Sequence, residues 1–237
     1  MACSAVLFFH GFPFGGELLI LGFILTISSM VLWFKDIIIE GTYLGSHTSQ
    51  VQNGLNLGFI LFLISEIFVF ISVFWGFFHS ALIPNIEIGS QWPPLGIQTL
   101  DPYSIPLLNT ILLLSSGGFV TWGHHALISG KRNSAIFGTF FTLLLAIIFT
   151  ILQGFEYLEA PFSIADSIYG TIFFALTGLH GAHVIIGTIF ILVGLARIIN
   201  YNLTDSHHFG FEAAILYWHM VDVVWIFLFI ILYCWGT

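Results

Sequence analysis

Residues 53–84, NGLNLGFILFLISEIFVFISVFWGFFHSALIP, decide how the rest of the chain is interpreted. The run is longer than the ~20 apolar residues that an α-helix needs to cross a bilayer, and it holds one carboxylate, Glu66, near its middle. An ionised carboxylate at the centre of a membrane helix costs about 2.5 kcal/mol or more, so such a residue normally faces the protein interior. The sequence leaves two roles open for Glu66: a protonated side chain hydrogen-bonded to a neighbouring helix, or a group that handles protons.

The composition indicates an integral membrane protein. Of the 237 residues, 58% are hydrophobic and only 7% are charged, whereas a soluble globular protein has about 25% charged residues. Long unbroken apolar runs predict spanning helices, because a membrane β-barrel would show alternating strands of about ten residues instead. Only four basic residues stand against twelve acidic ones, which argues against nucleic-acid binding.

Neither a cysteine-based site nor a targeting segment is expected at the termini. Cys3 and Cys234 lie near opposite ends with no metal-binding spacing, so a cysteine metal site is excluded and a disulfide is not expected. Residues 1–16 lack the Arg-rich pattern of a transit peptide and the charged start of a secretory signal. We therefore expect the chain to be made in the compartment whose membrane it enters.

Apolar segments of about 20 residues, bounded by turn residues, predict an all-α, polytopic transmembrane helix bundle that forms a single domain over residues 1–237. The six spans are expected at about 16–39, 54–80, 106–128, 134–157, 166–199 and 209–233. Four prolines between the second and third spans prevent residues 84–105 from being helical throughout.

The basic residues predict the topology. Lys35 follows the first span, Lys131 and Arg132 follow the third, and Arg197 ends the fifth. With alternating spans these positions all lie on one side of the membrane, as the positive-inside rule requires. Both termini are then expected on the opposite side.

Ten histidines invite a metal or haem hypothesis, which their positions weaken. Four of them stand at span ends, where polar, amphipathic residues are common, so no metal role is expected for His124, His125, His207 and His208. A carboxylate-bridged di-metal bundle needs Glu-x-x-His motifs, which the chain lacks. The sequence therefore predicts no metal ligand.

The histidines inside the fifth span are predicted to be interior residues with hydrogen-bond partners. His180 and His183 share a helix face, and small residues around them let a neighbouring helix approach closely; these are Gly178, Gly181, Ala182 and Gly187. A haem held by His180 and His219 stays open as a minor alternative. A free-standing transporter is the alternative from another class, and the Ser115–Gly118 run could then mark a broken helix.

Longer strings take the interpretation further. They include WFKDIIIEGTYLGSHT at 33–48, LFLISEIFVFISVFWGFFHSAL at 61–82, TWGHHAL at 121–127, APFSIADSIYGTIFFALTGLHGAHVIIGT at 160–188 and HHFGFEAAILYWHMVDVVWIFLF at 207–229. In these strings the chain resembles subunit III of mitochondrial cytochrome c oxidase, from about Trp33 to the C-terminus and in the same order. A quinol oxidase subunit III of the same superfamily is the runner-up.

The resemblance implies a non-catalytic core subunit of the respiratory terminal oxidase in the mitochondrial inner membrane, with both termini on the intermembrane-space side. Haem a and copper are then expected in the partner subunits I and II, with no cofactor in this chain except bound phospholipid and with accessory subunits as further partners. The implied roles are to stabilise the catalytic subunit, to hold phospholipid in a cleft between helices, and to support proton uptake while electrons pass from cytochrome c to dioxygen.

The resemblance also implies particular residues. Glu66 aligns with the family's intramembrane glutamate, and the lipid head-group positions fall on Lys35, Glu40, Thr42, His47 and Arg197. A cation with hydrogen-bonding neighbours at an interface suits a lipid phosphate. Ile39 stands where related chains commonly have a basic residue, which leaves this lipid site one charge fewer.

The N-terminus departs from the family pattern of seven helices. Residues 1–14 match only the end of the family's first helix, and ten helical residues rise about 15 Å, half the hydrocarbon thickness. We expect the first family helix to be missing or truncated, with its place taken by a separate polypeptide or by lipid.

Overall fold

The structure is a computed structural model that describes residues 1–205 and 207–236. Within these residues the chain forms seven α-helices: α1 (Ala2–Phe9), α2 (Gly15–Thr42), α3 (Ser49–Leu82), α4 (Ile105–Ile128), α5 (Arg132–Glu159), α6 (Ser167–Ile199) and α7 (Phe209–Leu228). A π-helical segment, Phe229–Trp235, continues α7. Six helices, α2 to α7, are long and apolar enough to cross a membrane, so the predicted all-α bundle of six spans is confirmed.

The chain divides into two compact units, Met1–Asn53 and Gly54–Thr237, and each is described by itself. In the first unit, α1 packs against α2. A methyl group on Gly15 would lie 2.8 Å from Cα of Phe8, and one on Gly22 would lie 3.1 Å from Cα of Met1. The two helices therefore run antiparallel with their backbones in close approach. Because α1 has eight residues, it rises about 12 Å.

The second unit has a four-helix core. Helix α4 lies beside α5 and α7, and α6 also lies beside α5 and α7, so the four helices close a ring. A methyl group on Gly138 of α5 would lie 2.8 Å from the carbonyl oxygen of Phe119 in α4. Close approach of this kind is typical of small residues at membrane helix interfaces, because association there depends on packing.

Large aromatic residues of α7 fill this core. Trp218 and Trp225 are fully buried, and each indole N–H has an acceptor on α4. Trp218 donates to the Ser116 hydroxyl and Trp225 to the Thr110 hydroxyl, both at 2.9 Å. The Ser115–Gly118 run therefore lies in a continuous helix that packs against α7, and it does not break the helix.

From Gly54 onward, α3 belongs to this second unit and contacts the other helices through aromatic rings. Phe62 stacks on Tyr217 of α7, and Phe70 meets the ring of His183 in α6 at 4.9 Å. Of the residues of α3, only Phe70, Phe77 and Ala81 are buried. Most of its apolar surface is thus left for lipid or for another protein.

A tight turn joins α4 to α5 and brings Arg132 to the end of α6. Gly130 adopts a left-handed conformation, and the Lys131 amide donates to the Ala126 carbonyl at 2.8 Å. The Arg132 guanidinium donates to the carbonyl oxygens of Ile198, at 3.0 Å, and of Ile199. A cation at a helix C-terminus satisfies carbonyls that have no partner within the helix and opposes the negative end of the helix dipole.

Candidate functional site

Glu66 of α3 has its partner on α6. Its Oε2 atom lies 2.7 Å from Nε2 of His183, and the side chains of Glu66 and His183 are 23% and 9% exposed. The rings of Phe70 and Tyr217 lie on His183. The intramembrane carboxylate therefore faces the interior of the second unit, as expected from the free energy that its exposure to lipid would cost.

The hydrogen bonds of His183 indicate that it shares one proton with Glu66. Nδ1 of His183 lies 2.8 Å from the Leu179 carbonyl oxygen, which can only accept, so Nδ1 carries a hydrogen. Nε2 can then accept from a protonated carboxyl group or, as imidazolium, donate to a carboxylate. In either form a single proton lies between the two side chains, and the pair as a whole carries no net charge.

Two further carboxylates of the second unit are buried with separate partners. Glu156 of α5 accepts hydrogen bonds from the Tyr233 hydroxyl and from the Gln153 amide. Asp222 of α7 is 5% exposed, and one of its oxygens lies 3.4 Å from Nδ1 of His219. Each carboxylate thus has one oxygen beside a polar neighbour, while the other oxygen, Oε2 of Glu156 or Oδ1 of Asp222, is buried without a hydrogen-bond partner among the described residues.

The two histidines inside α6, His180 and His183, have hydrogen-bond partners, as the sequence predicted. Nε2 of His180 lies 3.2 Å from the Val221 carbonyl oxygen, so His180 donates to α7. His219 bonds to the Thr121 hydroxyl at 3.1 Å. Both rings named in the minor haem alternative are therefore hydrogen-bonded within the protein.

The residues predicted to bind lipid occur in both units. In the first unit, Lys35 and Glu40 are exposed, while Thr42 and His47 are partly buried. The His47 ring packs against α2, because a methyl group on Gly41 would lie 2.8 Å from its Nδ1. Their place near the C-terminal end of α2 suits a lipid head group.

In the second unit, partly buried Arg197 lies near the end of α6. A methyl group on Gly210 would lie 2.8 Å from one of its guanidinium nitrogens. Arg197 therefore lies over the first turn of α7. Lipid binding at the five positions stays a prediction.

Three residues that the sequence did not connect come together at one end of the second unit. Nε2 of His208 lies 3.3 Å, and Nε2 of His124 3.8 Å, from Oε1 of Glu212. Only the i, i+4 spacing of His208 and Glu212 is visible along the chain. The approach of His124 depends on how α4 packs against α7.

These features define a class: a polytopic α-helical membrane protein with buried carboxylates, each paired within the fold. The family model for cytochrome c oxidase subunit III matches residues 1–237. The chain therefore belongs to the cytochrome c oxidase subunit III family, as its resemblance predicted.

Curated relatives agree with the family model. The chain is 57% identical to cytochrome c oxidase subunit 3 of Mycosarcoma maydis over 242 aligned residues, covering 100% of this chain and 88% of the relative. It is 56% identical to the protein of that name from Schizophyllum commune, with the same coverage. For Rhizopus stolonifer the identity is 58%, over 98% of this chain and 83% of the relative. The relatives support a mitochondrial origin and a multi-pass protein of the inner membrane.

Proposed function

We propose that this chain is the third core subunit of the respiratory terminal oxidase, in which subunits I and II carry haem a and copper and this chain carries no catalytic centre. The observation that carries the proposal is the family match over the whole chain. In this role the chain stabilises the catalytic subunit, holds phospholipid and supports proton uptake during electron transfer from cytochrome c to dioxygen.

The second unit is suited to a supporting role. Glu66 pairs with His183 of α6, and Glu156 of α5 accepts from Tyr233 in the segment that continues α7, so these two carboxylates link different helices. The apolar side chains left exposed along α3 are available to lipid or to a partner subunit. We propose that the catalytic subunit and bound phospholipids cover this kind of surface in the assembled oxidase.

The lipid proposal concerns Lys35, Glu40, Thr42, His47 and Arg197. A phosphate head group would be bound by the ammonium of Lys35 or the guanidinium of Arg197, since ionised donors make the stronger hydrogen bonds to phosphate. The carboxylate of Glu40 repels phosphate, so we assign it to the amine or hydroxyl groups of a head group. Loss of co-purifying phospholipid in Lys35→Gln or Arg197→Gln tests this assignment, with Lys131→Gln as the control. Equal phospholipid content in all three variants would contradict it.

The orientation proposal places both termini on the intermembrane-space side. Its support is the confinement of all four basic residues to loops or helix ends that alternate to one side. Protease digestion of sealed inner-membrane vesicles, followed by detection of tags at each end, tests it. If the protease removes one tag and leaves the other intact, the two termini lie on different sides and the proposal is overturned.

Isolation of the chain from its native membrane in mild detergent tests the function. We expect haem a absorbance in the visible spectrum and two larger membrane subunits that co-purify. A colourless preparation of this chain alone would refute the proposed function, and transport assays would then follow.

A further inference from the structure

The cluster of His124, His208 and Glu212 joins three elements of the second unit. His124 lies four residues before the C-terminal end of α4, His208 precedes α7, and Glu212 lies in the first turn of α7. One ligand atom of each residue lies within 4.8 Å of the other two. His208 is 8% exposed, so its ring is fixed in the fold. The three ligand atoms are therefore close enough together to hold one ion.

The orientation of His208 leaves a lone pair aimed at a carboxylate. Its Nδ1 lies 3.0 Å from the Thr204 carbonyl oxygen, which can only accept, so Nδ1 carries a hydrogen. In the neutral ring, Nε2 then presents its lone pair toward Oε1 of Glu212 at 3.3 Å. Nε2 of His208 is buried and has no hydrogen-bond partner within the described residues. A lone pair beside a carboxylate oxygen is repulsive unless a proton, as in the pair of His183 and Glu66, or a metal cation lies between them.

His124 presents a second nitrogen of the same kind. Its Nε2 is buried, lies 3.8 Å from Oε1 of Glu212, and lacks a hydrogen-bond partner in the described part of the chain. The two imidazole rings are 5.2 Å apart, centroid to centroid, at a steep angle. Two buried nitrogens without hydrogen-bond partners among the described residues therefore lie beside one carboxylate oxygen.

We propose that His124, His208 and Glu212 bind a divalent cation of the zinc class. Two imidazoles and a carboxylate form a common zinc ligand set that leaves the fourth position to water. Tetrahedral ligands at about 2.0–2.1 Å from zinc are roughly 3.3 Å apart. The distance from Nε2 of His208 to Oε1 of Glu212 already has this value, 3.3 Å, and the distance from Nε2 of His124 to the same oxygen is 3.8 Å. The hydrogen bond from Nδ1 of His208 to a backbone carbonyl is the support that metal-binding histidines usually have.

The proposed site departs from the expectation, drawn from the sequence, that no histidine of this chain binds metal. It also goes beyond the proposed function, since a subunit that only supports catalysis needs no ion here. A bound ion would tie the C-terminal end of α4 to the segment between α6 and α7. We therefore assign it a structural role at this end of the four-helix core.

Zinc content of the intact oxidase tests the site. Complexes with the wild-type chain or with His208→Gln, Glu212→Gln or His125→Gln are equilibrated with buffered Zn²⁺, freed of loosely bound metal, and analysed by elemental mass spectrometry. His125 is the matched control, because it is exposed and adjacent to His124. We expect the His208 and Glu212 variants to hold about one zinc ion fewer per complex than the wild type and the control. Equal zinc content in all four complexes would overturn the site.

A second measurement does not depend on variants that assemble. Anomalous diffraction at the zinc edge, or X-ray absorption, is recorded on the wild-type complex after equilibration with Zn²⁺. Anomalous density between the three side chains, or a zinc coordination shell of two imidazole nitrogens and oxygen, supports the site. Absence of both signals overturns it. Haem absorbance and subunit composition of the same sample report on the proposed function separately.

Discussion

His183 and Glu66 form a hydrogen-bonded pair between helices whose members lie 117 positions apart in the chain, with Nε2 and Oε2 separated by 2.7 Å. The pair joins α3 to α6, whereas the other contacts of α3 with the helices of the second unit are mainly between aromatic rings. Because His183 also donates to the Leu179 carbonyl, its ring is fixed at both nitrogens. Glu66 is thus a residue that positions a helix.

Glu66→Gln should leave the number of protons pumped per electron unchanged. The amide can donate to Nε2 of His183, so the link between α3 and α6 is kept. Glu66→Leu should lower the stability of the complex by about 1 kcal/mol, the usual range for one hydrogen bond between membrane helices. Proton pumping in vesicles and thermal unfolding in detergent are the two measurements.

Ser72→Ala is the control for these variants, since the Ser72 hydroxyl bonds within α3 to the Val69 carbonyl. It should match the wild type in both assays. A large fall in pumped protons per electron for Glu66→Gln would show instead that Glu66 carries protons.

Gly187→Ala should destabilise the second unit by about 1–3 kcal/mol, the cost of overfilling a packed core. A methyl group there would lie 2.9 Å from the Trp218 ring and 3.2 Å from the Tyr217 ring. The matched variant is Gly181→Ala on the same helix, where a methyl group meets nothing within 4 Å. Gly187→Ala should therefore unfold at a lower temperature than Gly181→Ala. Equal midpoints of thermal unfolding would contradict the packing described for α6 and α7.

Tyr233→Phe should destabilise the fold by about 1–3 kcal/mol, because it removes a donor from a buried carboxyl group. Glu156 is 2% exposed, and without the hydroxyl it keeps only the Gln153 amide as a donor. Tyr103→Phe, at a residue that is 77% exposed, makes the same chemical change without burial. If the two variants unfold at the same temperature, the Tyr233 to Glu156 hydrogen bond contributes nothing to stability.

Asp166→Asn should change the pH dependence of unfolding. The backbone N–H of Ser163 donates to Oδ2 of Asp166 at 2.7 Å, and this bond lowers the pKa of the carboxyl group below its ordinary value. A lowered folded-state pKa contributes stability above the unfolded-state value, and this contribution is lost as the pH falls through the folded-state pKa.

The variant should therefore be less stable than the wild type near neutral pH, and the gap should close in acid. Thermal unfolding between about pH 7 and pH 3 measures this gap. Asp36→Asn, at an exposed position of α2, makes the same charge change and is the control for the loss of one negative charge. A gap that is constant over the range would contradict the assignment.

The six spans could be predicted because each is an apolar run long enough to cross the bilayer. Which face of each helix packs against its neighbours could not be predicted. Gly181 and Gly187 look alike in the sequence, yet only Gly187 faces Trp218. In an almost uniformly apolar helix, little in the residue pattern distinguishes the packed face from the lipid face.

The site was predictable only in part for a related reason. Glu66 is conspicuous as a carboxylate within an apolar run, but its partner, His183, is set by how α3 and α6 meet. The same holds for His124, which joins His208 and Glu212 only after α4 and α7 have packed. Spacing along the chain reports neighbours within one helix, whereas these contacts form between helices.

Arg132 has a consequence for the order in which the fold is completed. Its guanidinium binds carbonyls that lie 66 and 67 positions later in the chain. Because synthesis proceeds from the N-terminus, the cation is already present when Ile198 and Ile199 leave the ribosome. The guanidinium is therefore in place to bind the C-terminal carbonyls of α6 as soon as this helix forms. Arg132→Gln would delay the packing of α6 against α5, even with the finished oxidase unchanged.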